Sequence, residues 1–192
     1  MLGSNGKPAA PQDPATIRVP ASAGPPDGRA GSGLGSGAAL LAFVLLTLGA
    51  GIGVGLLFPP DDWFRSLAKP TWDPPGWVFG PVWTTLYVMI GLSAWLVWRE
   101  PRVPAPERRA AWGMFALQAV LNLGWTPLFF GLRQPGLAFV AISLLWLVVL
   151  WMTLRFGRIR PLAGYLLIPY VLWLSFALVL NGTIWLMNDG TS

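Results

Sequence analysis

The sequence predicts an all-α membrane protein, a bundle of five transmembrane helices, on three observations. Hydrophobic types make up 54% of the 192 residues and charged types only 11%, whereas a soluble domain carries roughly 25% charged residues. The apolar residues gather into five uncharged runs, each near the roughly 20 residues that cross a hydrocarbon core of about 30 Å. The remaining charges fall outside those runs and alternate in density from one side of the membrane to the other.

Residues 1–36 read as a disordered tail, because 13 of them are Gly or Pro and no apolar periodicity appears. Such a segment buries too little apolar surface to order itself. The membrane domain follows over residues 37–187, and residues 188–192 form a short polar C-terminal tail. The first run, Gly37–Phe58, is too long for the apolar region of a signal peptide and has no basic stretch close before it. Glycines at 49, 51, 53 and 55 form two overlapping small-xxx-small pairs, which let helices approach closely within the chain or between two copies, or present a flat surface to a ligand. The second run, Val78–Trp98, contains Pro81, the third, Ala111–Gly131, contains Pro127, and the fifth, Pro161–Met187, contains Pro169. Each proline removes a backbone donor, so a kink is expected at each. The fourth run, Pro135–Leu154, is the shortest fit to the bilayer.

The loops fix the expected orientation. Ten Lys or Arg residues lie on the N-terminal side, in the tail, the second loop and the fourth loop, against Arg65, Lys69 and Arg133 on the other. The positive-inside rule therefore puts the N-terminus in the cytoplasm and the C-terminus outside. The net charge of +5 reads as this topology signal, not as a nucleic-acid surface.

Composition also restricts the chemistry. The chain has no Cys and no His, which removes disulfides, thiolate nucleophiles, the commonest metal ligand and the usual general base. The five runs contain no Asp, Glu, Lys or Arg, the groups with which pumps and ion-coupled transporters relay protons or hold ions. Conventional hydrolase and metalloenzyme readings fall away, an ion-coupled transporter is disfavoured, and no metal site is expected. The polar side chains inside the spans are few. Gln118 and Asn122 are four apart and share a helix face, so Asn122 serves either as an interhelical bond or as a ligand contact, and Asn181 reads as an interhelical bond. Of the twelve tryptophans, those near span ends suit an interfacial belt. Trp83, Trp95, Trp125, Trp146 and Trp173 lie deeper, where an indole packs in the core or stacks on a flat ligand. Trp173, Phe176, Ala177 and Leu180 share one helical stripe, as do Leu137, Val140 and Leu144. A first loop of about 19 residues, with Asp61, Asp62 and Trp63, is long enough to suggest a lid.

Three blocks carry a resemblance: KPTWDPPGWVFGPVWTTLY over Lys69–Tyr87, LNLGWTPLFFG over Leu121–Gly131 and IPYVLWLSFALVLN over Ile168–Asn181. In this order and in a five-span chain they closely resemble the TspO/translocator protein family, the tryptophan-rich sensory proteins and peripheral benzodiazepine receptors. The resemblance covers about residues 38–187. It implies a five-helix bundle, usually a homodimer, in a membrane that is the cell membrane if the source is bacterial, with a pocket beneath the first loop. It implies a tetrapyrrole ligand of the protoporphyrin type and no obligatory cofactor. By motif, the pocket residues would be Phe79, Gly80, Val82, Trp83, Asn122, Leu137, Val140, Leu144, Trp173, Phe176, Ala177 and Leu180. The implied roles are a sensor or scavenger in stress or pigment metabolism, a light-dependent porphyrin-degrading enzyme working through Trp83, or an uncoupled facilitator of tetrapyrroles or lipids. Two departures stand out. The stretch VLNGTIWLMNDG lacks the Tyr and the Lys/Arg tied to sterol binding in animal members, and Phe176 stands where some porphyrin-degrading members have Trp.

Overall fold

The computed structural model describes residues 33–188. Its long helices are α1 (Gly33–Leu57), α3 (Phe79–Trp98), α4 (Ala105–Thr126), α5 (Pro135–Ile159) and α6 (Pro161–Asn188), with a one-turn helix, α2 (Asp62–Ser66), in the first loop. Among the described residues, five helical stretches are long and apolar enough to cross a membrane, and the protein is an integral membrane protein.

Local sequence explains where these helices begin. α4 has Pro106 in its first turn, and α5 and α6 begin on Pro135 and Pro161. The first turn leaves its N–H groups unpaired anyway, so proline costs nothing there. Glu107 adds an acid near the positive end of α4. Charge explains where the sequence reading fell short. α4 begins six residues before the third apolar run and α5 ends five after the fourth, because charged residues can extend a helix beyond the hydrocarbon layer. Residues 33–36, read as tail, belong to α1, while the disorder expected for the earlier tail lies outside the described residues, as do residues 189–192.

The expected kinks divide three ways. Pro81 falls in the first turn of α3, where it displaces no hydrogen bond. Pro127 opens a wider π-helical turn, Pro127–Gly131, that continues α4. Pro169 sits inside α6, which runs on as one helix.

Packing closes the helices into a ring in the order α1, α3, α6, α5, α4, with α4 returning to α1. The α5–α6 connection is a single residue, Arg160, so the two helices leave it almost touching. A Cβ on Gly164 would stand 2.7 Å from the Gly157 Cα, and only glycine fits there. The main core runs from Leu86 and Ile90 on α3 through Val149 and Phe156 on α5 to Leu167 and Leu174 on α6, with Ala111 of α4 joining it. α1 is peripheral, and none of its described side chains is buried. It is fastened to α3 by the Thr47 hydroxyl, which donates to the Tyr87 carbonyl at 2.8 Å.

Candidate ligand-binding site

A cavity of about 660 Å³ opens inside the ring beneath the first loop. Aromatic rings from several elements line it. Phe79 and Trp83 come from α3, Trp125 from α4, Phe129 and Phe130 from the π turn, and Trp173 from α6. These rings brace one another: Phe79 meets Trp173 edge-on at 5.7 Å, Trp125 stacks on Phe129 at 5.0 Å, and Trp83 stacks on Tyr87 at 5.3 Å while meeting Tyr170 edge-on at 6.2 Å. Edge-on and offset geometries suit the ring quadrupoles. The Trp173 indole nitrogen is buried without a hydrogen-bond partner among the described residues, whereas Trp125 donates to the Asn181 amide oxygen and Trp146 to the Ser175 hydroxyl.

The deep end carries a polar rung. Tyr87 lies eight residues into α3, roughly 12 Å below its start. Its hydroxyl donates to the Asn122 side-chain oxygen at 2.9 Å. The Asn122 amide donates to the Tyr170 hydroxyl at 2.8 Å, and that hydroxyl donates to Gln118 at 3.3 Å. Asn122 bonds across helices and also lines the cavity. Asn181 does the same, since its amide also donates to the Pro135 carbonyl at 2.9 Å. Gly51 makes room for the rung, because a Cβ there would overlap the Tyr87 ring. Gly55 also lines the cavity, whereas a Cβ on Gly49 or Gly53 would meet nothing within 4 Å.

The first loop roofs the cavity and is tied down at several points. Asp61 caps α2 by accepting from the Phe64 amide at 3.1 Å, and its other oxygen accepts from Arg133 at 2.7 Å. Those two contacts, the amide foremost, hold the Asp61 carboxyl below its usual 3.8. Arg133 reaches Asp61 from a left-handed backbone, φ 55°, a conformation that costs a non-glycine residue of order 1 kcal/mol. Asn188 at the end of α6 clamps Ala68, accepting from its amide at 3.0 Å and donating to its carbonyl at 2.9 Å. Phe64 packs on Phe130 at 5.2 Å and Trp72 on Phe176 at 5.9 Å. Lys69 and Asp73, both on this loop, line the mouth. Partial burial pushes the Asp73 carboxyl up against the opposing pull of Lys69.

Seven of the residues carried over by motif meet at this cavity: Phe79, Gly80, Trp83, Asn122, Trp173, Ala177 and Leu180. Five do not. Val82 and Phe176 border a shallower crevice between α3 and α6. Leu137, Val140 and Leu144 are 49%, 53% and 50% exposed on the outer face of α5, and that helix presents Ile142 and Leu145 to the cavity instead. The stripe was correctly spaced but lay on the wrong side, because a helix bathed in lipid is apolar all round and its periodicity does not mark an inner face. Sequence reasoning also passed over Tyr87, Lys69 and Asp73. All three lie in the Lys69–Tyr87 block, and Tyr87 sits one turn beyond Trp83, the one signal that pointed to it.

A five-helix integral membrane protein with a lidded aromatic cavity is the class that this fold and site define. The TspO/MBR family model matches residues 43–186, and the chain belongs to that family. It is similar to the translocator protein of Homo sapiens, 41% identical over 128 residues that cover 67% of this chain and 76% of that one. It is also similar to the tryptophan-rich protein TspO of Chlorobaculum tepidum, 40% identical over 134 residues (67% and 82% of the two chains). The tryptophan-rich sensory protein of Cereibacter sphaeroides is 36% identical over 144 residues, 74% of this chain and 87% of its own.

Proposed function

We propose that this protein binds a tetrapyrrole of the protoporphyrin type within the membrane and acts as a sensor or scavenger in stress or pigment metabolism. The observation that carries the reading is the cavity itself, about 660 Å³ and walled by Phe79, Trp83, Trp125 and Trp173 beneath a closed loop. That volume lies within the roughly 300–1,000 Å³ of small-molecule sites, and flat indole walls match a flat conjugated ring. The sensory role follows the name of the relative from Cereibacter sphaeroides. The protein works as a homodimer in a bacterial cell membrane, with its N-terminus in the cytoplasm. No cofactor is required.

Titration of the purified protein in neutral detergent with protoporphyrin IX, followed by tryptophan fluorescence in the dark, tests the reading. Saturable quenching that weakens in Trp83→Phe is the expected result, and the absence of saturable quenching overturns it. A second reading is light-dependent degradation of the bound porphyrin. It is favoured by the Trp83 ring, which touches both Tyr87 and Tyr170, because redox-active neighbours suit radical chemistry. New absorbing products under light that vanish in Trp83→Phe would establish it.

A further inference from the structure

Two charged side chains break the otherwise uncharged lining of the cavity, Lys69 and Asp73, and both stand on the roofing loop at its mouth. The Lys69 ammonium is held in place by its surroundings. It lies 4.3 Å from the centroid of the Phe64 ring, and Phe64 is itself wedged against Phe129 and Phe130. The preceding residue, Ala68, is clamped on both its backbone groups by Asn188. Neither ion pair among the described residues engages Lys69, since one joins Arg65 to Asp62 and the other Arg133 to Asp61. Asp73 is brought back toward Lys69 by a turn in which its amide donates to the Pro70 carbonyl at 3.0 Å.

We propose that the cavity selects ligands bearing a carboxylate, with the apolar ring inside and the acid at the mouth on Lys69, while Asp73 limits how tightly that acid is held. The proposal rests on the reading of the cavity as a tetrapyrrole site and adds the chemical class that the site selects. An ammonium seated against an aromatic wall is partly stripped of water, so an incoming carboxylate gains more from it than from a fully hydrated lysine. The neighbouring Asp73 carboxylate repels the same group. Its partial desolvation marks it as a charge that the protein holds at some cost, so it affects any anion that docks beside it.

Protoporphyrin IX and its dimethyl ester differ in charge and hardly in ring, which makes them the probes. Quenching titrations at neutral pH in non-ionic detergent should show the diacid binding about tenfold more tightly than the ester. Lys69→Met keeps the aliphatic stem over Phe64 and should abolish that preference by weakening the diacid alone. Lys69→Arg should restore the preference, and Asp73→Asn should tighten the diacid and leave the ester unchanged. Equal affinity of the wild type for both probes overturns the proposal while the tetrapyrrole reading stands. Equal weakening of both probes by Lys69→Met also overturns it and leaves Lys69 as a packing residue on Phe64. If neither probe binds the wild type, the tetrapyrrole reading fails and this inference fails with it.

Discussion

Asn122 joins three helices through one side chain, bonded to Tyr87 on α3 and to Tyr170 on α6 from its own place on α4. Replacing it with alanine takes this acceptor from the half-buried Tyr87 hydroxyl and leaves the buried Tyr170 hydroxyl with Gln118 alone, at a cost of about 1–3 kcal/mol. Asn122→Ala should therefore lower the unfolding midpoint in detergent, whereas Thr84→Ala, which loses only a bond to its own helix, should not. Equal midpoints for the two variants would show that the rung adds nothing to stability. The spacing of Gln118 and Asn122 was legible as a shared polar face, but their partners were not. Tyr87 and Tyr170 lie 35 and 48 residues from Asn122, and no local pattern connects residues that only packing brings together. Gly51 was legible as a site of close approach, yet its neighbour turned out to be the Tyr87 ring, at the floor of the cavity. Gly51→Leu should push that ring aside and weaken saturable quenching by protoporphyrin IX at least about tenfold, following the cost of overpacking a filled site. Gly49→Leu, on open surface, should leave quenching unchanged.

At the scale of the helix, α5 shows what a membrane hides from sequence. Its outer stripe of Leu137, Val140 and Leu144 and its inner pair of Ile142 and Leu145 are equally apolar, because lipid and protein interior ask the same of a side chain. Helix existence was therefore plain from the uncharged runs, and helix rotation was not. Leu145→Trp should fill the cavity and abolish quenching by protoporphyrin IX, while Leu144→Trp should be tolerated. The reverse outcome would turn α5 back to the face that its stripe first suggested. The roofing loop adds a pH dependence with a definite sign. Asp61 has a folded pKa below its usual 3.8, so the cap on α2 and the bond to Arg133 contribute fully above that value and are lost as pH falls through the lower folded one. The protection of amides 61–68 against hydrogen exchange, relative to the intrinsic rate at each pH, should therefore fall as pH drops below 3.8. The Asp61→Asn variant should already exchange faster at neutral pH and show no such step. A step of the same size in that variant would assign the transition to another group.

For the whole molecule, the ring of five helices has a different charge at each end. Arg99, Arg102, Arg108, Arg109, Arg155, Arg158 and Arg160 all fall at the end where α3 and α5 finish and α4 and α6 begin, while the cavity mouth, the Asp61–Arg133 pair and the Asn188 clamp lie at the other. The sequence made this asymmetry legible because lysine and arginine in short loops are retained on the cytoplasmic side. The resemblance also implied a pocket beneath the first loop, and the cavity is lined there by Phe64, Lys69 and Asp73 of that loop. Together the two predict that the mouth opens away from the cytoplasm, so that a ligand enters from the outer compartment or the outer leaflet. The chain has no native cysteine, so single cysteines report sidedness without background. Ser66→Cys, on exposed loop surface, should react with a membrane-impermeant maleimide in intact cells. Arg102→Cys, exposed at the other end, should react only after permeabilisation. The opposite pattern would turn the molecule over and place the cavity mouth in the cytoplasm, where ligand supply would have to be internal. Labelling of both in intact cells would mean dual insertion and would end the orientation argument from charge.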